Sequence, residues 1–259
     1  MPAENDQPLD PYVTGDRPLE STPETKDDDD QADLESSPWL RRLDRVLSVQ
    51  RPVAVRHVRA LRRRHKKASP EQLIRILERE YLAAVTTGGA AVGASAVVPG
   101  VGWGVALALS GVETAGFLEA SALFAQSVTE VHGIAVTDPE RARALVMTMI
   151  LGTPGAALVR QFAGEAIGTA PARTAFWGEL VTEKVPKAAL GGLTDTVRKH
   201  FVRRFAASQG ATILGRAVPF GIGAVVGGAG NHMLGRKVVT SARAAFGPAP
   251  SSFPPELEA

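Results

Sequence analysis

The chain has 259 residues, of which 44% are hydrophobic, 22% charged and only 5% aromatic, with no cysteine and a formal net charge of +2. That length and apolar content allow a substantial core. The lack of cysteine excludes disulfides, thiolate metal ligands and cysteine nucleophiles.

The small net charge conceals two opposite segments. Residues 1–37 hold twelve acids against two bases, several prolines and the run Asp27 to Asp30. Low hydrophobicity with high net charge cannot offset the entropy of ordering, so 1–37 is expected to be a disordered acidic arm. It carries no apolar stretch of the secretory kind, which sets the expected start of the chain in the cytosol.

Segment 38–68 inverts this composition. From Trp39 to Lys67 there are eleven Lys or Arg residues and one acid, Asp44. On a helical wheel Trp39, Leu40, Leu43, Val46 and Leu47 share a face, with Arg41, Arg42 and Arg45 opposite. Pro52 breaks that helix. A second follows, with Val55, Val58 and Leu61 as a narrow apolar stripe and Arg56, Arg59, Arg63, Lys66 and Lys67 on another face. Basic amphipathic helices with an interfacial Trp are drawn to anionic lipid. The same pattern also fits a solvated basic face packed on its own domain. Nucleic acid is the weaker third reading, because neither interleaved aromatics nor a recognised binding module accompanies the charge.

Ser69-Pro70-Glu71-Gln72 predicts a helix start, with Ser69 as N-cap, Pro70 in the first turn and Gln72 closing a capping box. Leu73, Ile74, Ile76, Leu77, Tyr81 and Leu82 then face a core. Leu82 to Val112 is uncharged over thirty-one positions, with seven glycines and a break at Pro99-Gly100. Split there, Leu82 to Val98 would span about 25 Å, short of a hydrocarbon core of ~30 Å. A helical hairpin fits, either buried in the fold or partly inserted in a membrane. Gly89 and Gly93 have the small-xxx-small spacing of close helix contact.

Leu109, Val112, Phe117, Ala120, Leu123/Phe124, Val128 and Val131 then make one apolar seam of a helix. Glu113 falls on it and Glu119 at its margin. A carboxylate in such a stripe needs a partner or a proton. It is either half of a structural pair or part of a polar site in the bundle. His132-Gly133 ends this helix, and Asp138-Pro139-Glu140-Arg141 starts the next with Asp138 as N-cap. An uncharged run from Ala144 to Val159 is halted at Gly152-Thr153-Pro154-Gly155. A polar segment from Ala170 reaches Gly191-Gly192, and a basic helix spans Thr194 to Ser208.

A second glycine-rich stretch, Ala217 to Phe246, organises the chain as the partner of the first. Val218-Pro219-Phe220-Gly221-Ile222-Gly223 echoes Val98-Pro99-Gly100-Val101-Gly102, a weak sign of duplication. Pro99, Gly100 and Pro219, with Gly89, Gly93, Gly223, Gly227 and Gly228, are the expected close-packing positions. Asn231 and His232 follow the apolar run. Either Asn231 bonds backbone carbonyls, as a buried amide must, or Asn231, His232 and Glu113 converge between the glycine-rich helices. The tail, 248–259, is proline-rich and expected to be disordered.

No chemistry emerges from the motifs. The five histidines have no ligand spacing, Gly100-x-Gly102-x-Gly104 has neither a preceding strand nor a following G-K-[ST], and Ser127 with His132 lacks a third member. The expectation is no catalytic, cofactor or metal residue.

Three stretches resemble the bacterial EcsC family: YLAAVTTGGAAVGASAVVPGVG, EVHGIAVTDPERARALVMTMILG and VPFGIGAVVGGAGNHMLGRKVVTSARAAF. The shared features are a His-Gly before a D-P-E-R helix start, and a proline-led G-A-V-V-G-G-x-x-N segment running into a basic helix that ends in Phe. The resemblance covers Pro70 to Phe246, and it departs at Gly221, where a bulkier residue is expected. It implies an all-α domain, association with a membrane and no known catalytic residue. The family takes its name from an operon that also encodes an ABC transporter.

The combined expectation is an all-α multi-helix bundle with two glycine-rich apolar helical hairpins in 69–247. It would be a non-enzymatic, membrane-associated protein, peripheral or partly inserted at the inner face of a bacterial cell membrane and accessory to transport or secretion. Its partner would be an anionic membrane surface, with a protein partner also open. The alternative is a soluble helical interaction module with its glycine-rich helices fully buried.

Overall fold

The computed structural model describes residues 51–95, 103–168, 176–215 and 222–258. The acidic arm 1–37, the helix expected around Trp39 and the breaks at Pro99-Gly100 and Pro219 lie outside them. Within the described residues the fold is all-α, without a strand. In chain order the helices are α1 (Arg51–Arg64), α2 (Pro70–Ser95), α3 (Trp103–Val131), α4 (Pro139–Leu151) and α5 (Thr153–Ile167). Then come α6 (Trp177–Glu179), which continues as a π-helical turn over Leu180–Lys184, α7 (Lys187–Gly215), α8 (Ile222–Phe246) and α9 (Pro255–Glu258).

The helix starts form where local chemistry demands them. The Ser69 amide donates to Gln72 Oε1 at 2.9 Å, and the Gln72 amide donates back to Ser69 Oγ at 3.2 Å, the reciprocal bonds of a capping box. Asp138 Oδ1 accepts from the amides of Glu140 and Arg141, with Pro139 in the first turn of α4. α3 ends in a Schellman arrangement: Gly133 has φ 76° and donates to Glu130 O, while the Ile134 amide reaches Thr129 O at 2.9 Å.

The centre of the fold is α2, α3 and α8. Among the described helices, the two glycine-rich ones, α2 and α8, share the most extensive contact, and α3 lies against both. They run antiparallel, since Glu78 meets Arg243, Tyr81 meets Gly235 and Gly89 meets Gly227. Small residues make this possible: a Cβ on Gly89 would lie 2.5 Å from the Gly227 carbonyl oxygen, and one on Gly228 would lie 3.3 Å from Ala90 Cβ. Leu73, Leu77, Tyr81 and Val85 fill the adjoining core, Leu73 being fully buried. Tyr81 stacks on Phe124 of α3 with ring centroids 4.7 Å apart.

A second layer, α4 with α5 and α7, is joined to the first through contacts of α4 with α3 and α8. Ala142, Ala144 to Met149 and Leu151 are all buried, so α4 has almost no solvated face. This is why its sequence is uncharged on every side from Ala144 to Leu151. Gly152 alone (φ 72°, ψ −135°) separates α4 from α5. Gly155 lets α5 fold back at once, because a Cβ there would meet Thr148 O at 2.7 Å. Arg141 steadies the π-helical turn by donating to the carbonyls of Val181 and Val185.

Four expectations change. The buried stripe of α1 is Ala54, Val58 and Leu61, with Val55 only half-buried, because Ala54 rather than Val55 lies in phase with the other two. In α3 the seam excludes Val112, which is 68% exposed, and includes the neighbouring Glu113. Gly191 and Gly192 do not precede the basic helix but lie inside α7, which begins at Lys187; Gly192 gives room to the Phe162 ring. The tail 248–258 is not disordered. It folds back onto α1, forms α9 and buries Leu257 to 1% exposure.

Candidate functional site

The residues singled out in the sequence meet where α2, α3 and α8 cross. Asn231 Nδ2 donates to the Val85 carbonyl of α2 at 3.2 Å and to Glu113 Oε1 of α3 at 3.0 Å. One amide thus ties three helices together, and the Glu113 carboxylate, 8% exposed, gains a donor inside the bundle. Gly89 is part of the same construction: a Cβ on it would lie 2.7 Å from Asn231 Nδ2. The next residue of α8, His232, faces the same stretch of α2, with its Nδ1 3.0 Å from Thr86 Oγ1. The Thr86 hydroxyl donates its proton to Leu82 O at 2.6 Å, so His232 Nδ1 must supply the proton of the shared bond. Both open readings therefore hold in part. Asn231 does bond a backbone carbonyl, and it does so while joined to Glu113, with His232 beside the pair on Thr86.

Three further polar links escaped the sequence reading. Glu78, 6% exposed, accepts two bonds from Arg243 of α8, at 2.7 and 2.6 Å. Glu130, 4% exposed, accepts two from Arg51 of α1, at 2.6 and 3.0 Å. These fork-shaped pairs satisfy buried carboxylates, and the bonds raise the pKa of both arginines. The Tyr81 hydroxyl lies 2.8 Å from Ser121 Oγ, and burial pushes its pKa up. Glu78 sits beside the stripe Leu73, Leu77, Tyr81, where a charge ordinarily meets solvent, so the sequence carries no signal that it turns inward.

At one end of the bundle a cavity of about 790 Å³ opens between the start of α2, the end of α3 and the turn after α8. Phe124, Val128 and His132 line it beside the Glu78 and Arg243 pair. The His132 ring lies 5.3 Å from Phe246, and burial holds its pKa below the ordinary histidine value. The folded state therefore binds fewer protons than the unfolded chain in mild acid. Stability is expected to be complete above about pH 6.5 and to fall as pH drops through the lowered value. Urea midpoints for wild type and His132→Gln between neutral and acid pH check this, the variant showing the flatter profile.

The expected surface contacts divide. Arg56, Arg63, Lys66 and Lys67 are exposed on or just after α1. Arg59 is half-buried and donates to Glu256 O. Trp39, Arg41, Arg42 and Arg45 fall outside the described residues. Of the packing positions, Gly89, Gly227 and Gly228 are buried, Gly93 and Gly223 fall within α2 and α8, and Pro99, Gly100 and Pro219 lie outside.

Chemically, these groups pair and cap one another; where a hydroxyl does meet an imidazole, at Thr86 and His232, the Thr86 proton is already given to Leu82 O. Among the same residues no cluster of His, Asp and Glu could hold a metal ion, and no helix is long and apolar enough to cross a membrane. No family model, curated protein or solved structure matches the chain.

Proposed function

We propose that this chain is a non-enzymatic, EcsC-like helical protein that attaches peripherally to the inner face of a bacterial cell membrane, with its cations against anionic lipid. The observation that carries this reading is the α1 region. Its apolar stripe is turned into the fold, while Arg56, Arg63, Arg64, Lys66 and Lys67 on or just after the same helix remain exposed. Each cation near an anionic leaflet contributes on the order of 1 kcal/mol at low salt, and the attraction decays over a Debye length. The resemblance of Pro70 to Phe246 to the EcsC family supports the same reading, and with it a role beside a transport or secretion system.

Sedimentation with phosphatidylglycerol vesicles tests it. Binding is expected at low salt, with a loss of at least about tenfold at high salt and little binding to phosphatidylcholine. Equal binding to both lipids, or none to either, removes the proposal. A second reading, a soluble interaction module, is favoured by the inward glycines: Gly89, Gly227 and Gly228 are spent on helix contact. A chain that stays in the supernatant of lysed cells without detergent, and ignores vesicles, supports that reading.

A further inference from the structure

The segment after α8 does something its composition hides. It leaves α8 at Gly247 (φ 70°), passes the end of α3, where Pro254 packs against Gly133, and ends on the basic helix α1. Three kinds of contact hold it there. Arg59 donates through both Nε and Nη2 to the Glu256 carbonyl, at 3.2 and 2.6 Å. The Arg62 guanidinium lies over the Phe253 ring, 4.1 Å from its centre. Leu257 is buried to 1%. The Arg51 guanidinium is held charged chiefly by its bond to Glu130, and the Glu256 carboxylate adds to this.

We propose that residues 248–258 form a clasp that withholds Arg59 and Arg62 from an anionic surface and brings the acid Glu256 toward Arg51 of α1. The inference rests on the membrane reading and adds regulation to it. The contacts suit a device that opens. Backbone-carbonyl and ring contacts to arginine are replaceable by lipid phosphate, which accepts the same guanidinium bonds with a full charge. Leu257 is the single deeply buried side chain of α9, so this helix is held by one apolar anchor. Opening frees two cations and moves the Glu256 carboxylate away, which raises the attraction of α1 for an anionic leaflet.

The test uses the full chain with phosphatidylglycerol vesicles at low salt, and compares wild type, Leu257→Asp and the double variant Arg63→Glu, Lys66→Glu. Leu257→Asp is expected to bind about tenfold tighter, two cations near the leaflet setting the scale, with faster amide exchange over 256–258. The double variant is expected to bind more weakly. If exchange shows the clasp open in Leu257→Asp while its affinity equals that of wild type, and the double variant still weakens, the clasp is overturned and the membrane reading stands. If no form binds vesicles, both fall. Should Leu257→Asp lose helicity, Phe253→Ser, at a half-exposed position, is judged by the same two measurements.

Discussion

Gly89→Leu is expected to destabilise the protein by about 4 kcal/mol or more, enough to leave much of it unfolded at growth temperature. Even the first carbon of the new side chain would lie 2.5 Å from the Gly227 carbonyl oxygen and 2.7 Å from Asn231 Nδ2. The first contact is backbone on the partner helix, which has no rotamer with which to yield. Relief requires α2 and α8 to separate, and that would stretch the Asn231 bonds to Val85 and Glu113 as well. The neighbouring Gly88 provides the control, because a Cβ there meets nothing within 4 Å. Gly88→Ala should therefore stabilise by up to about 1 kcal/mol through helix propensity alone. Gly89→Ala gains the same propensity but suffers the clash, so its net loss should fall between the two. Denaturant midpoints for the three variants decide the matter. A Gly89→Leu protein as stable as wild type would mean that the two helices are not held this closely.

How much of this was legible in the sequence depended on how far each signal had to reach. The Ser69 and Asp138 caps were readable because donor and acceptor lie within three residues. The mutual packing of the glycine-rich stretches was readable because residues without bulk, repeated along a helix, allow little else than close approach. Glu113 could be placed inside because it interrupts an apolar seam, and Asn231 because it follows an apolar run. By contrast, Glu78 and Glu130 stand beside their stripes and resemble solvated charge. Their arginines are 165 and 79 positions away, and no local pattern links them.

The tail misleads for a related reason. Proline content is a local property, whereas the burial of Leu257 depends on a helix about two hundred residues earlier, as the separation of 197 between Arg59 and Glu256 shows. Gly191-Gly192 reads as punctuation, the usual meaning of paired glycines. In the fold Gly192 gives room to Phe162 within a continuous helix, a role that only the neighbour reveals. In α1 the larger Val55 draws the stripe one position off, since hydrophobic size outweighs phase in such a reading.

Asn231→Asp is expected to turn a stabilising tie into a pH-dependent fault. At neutral pH the new carboxylate would stand about where Nδ2 now donates, 3.0 Å from Glu113 Oε1 and 3.2 Å from the Val85 carbonyl. Two acceptor contacts replace two donor bonds, and two carboxylates at that separation cannot both ionise cheaply. The expected loss near neutral pH is about 3 kcal/mol, from the two lost donor bonds together with like-charge repulsion. The sign with pH follows from proton counting. Forced together, the pair holds a proton more tightly when folded than when unfolded, so the folded state binds more protons over that range. Stability therefore falls as pH rises through the raised value and recovers as pH drops toward about 4, where the unfolded carboxylates are protonated as well. With one proton shared, the new carboxyl and Glu113 would hydrogen-bond each other and restore one of the lost contacts. Asn231→Ala separates the two effects, because it removes both donor bonds without adding a charge and should lose stability by a similar amount at either pH. Urea midpoints of the Asp and Ala variants at mildly acid and neutral pH make the comparison. If the Asp variant follows the Ala variant at both, Glu113 does not face position 231 in solution, and the polar tie between α2, α3 and α8 is drawn wrongly.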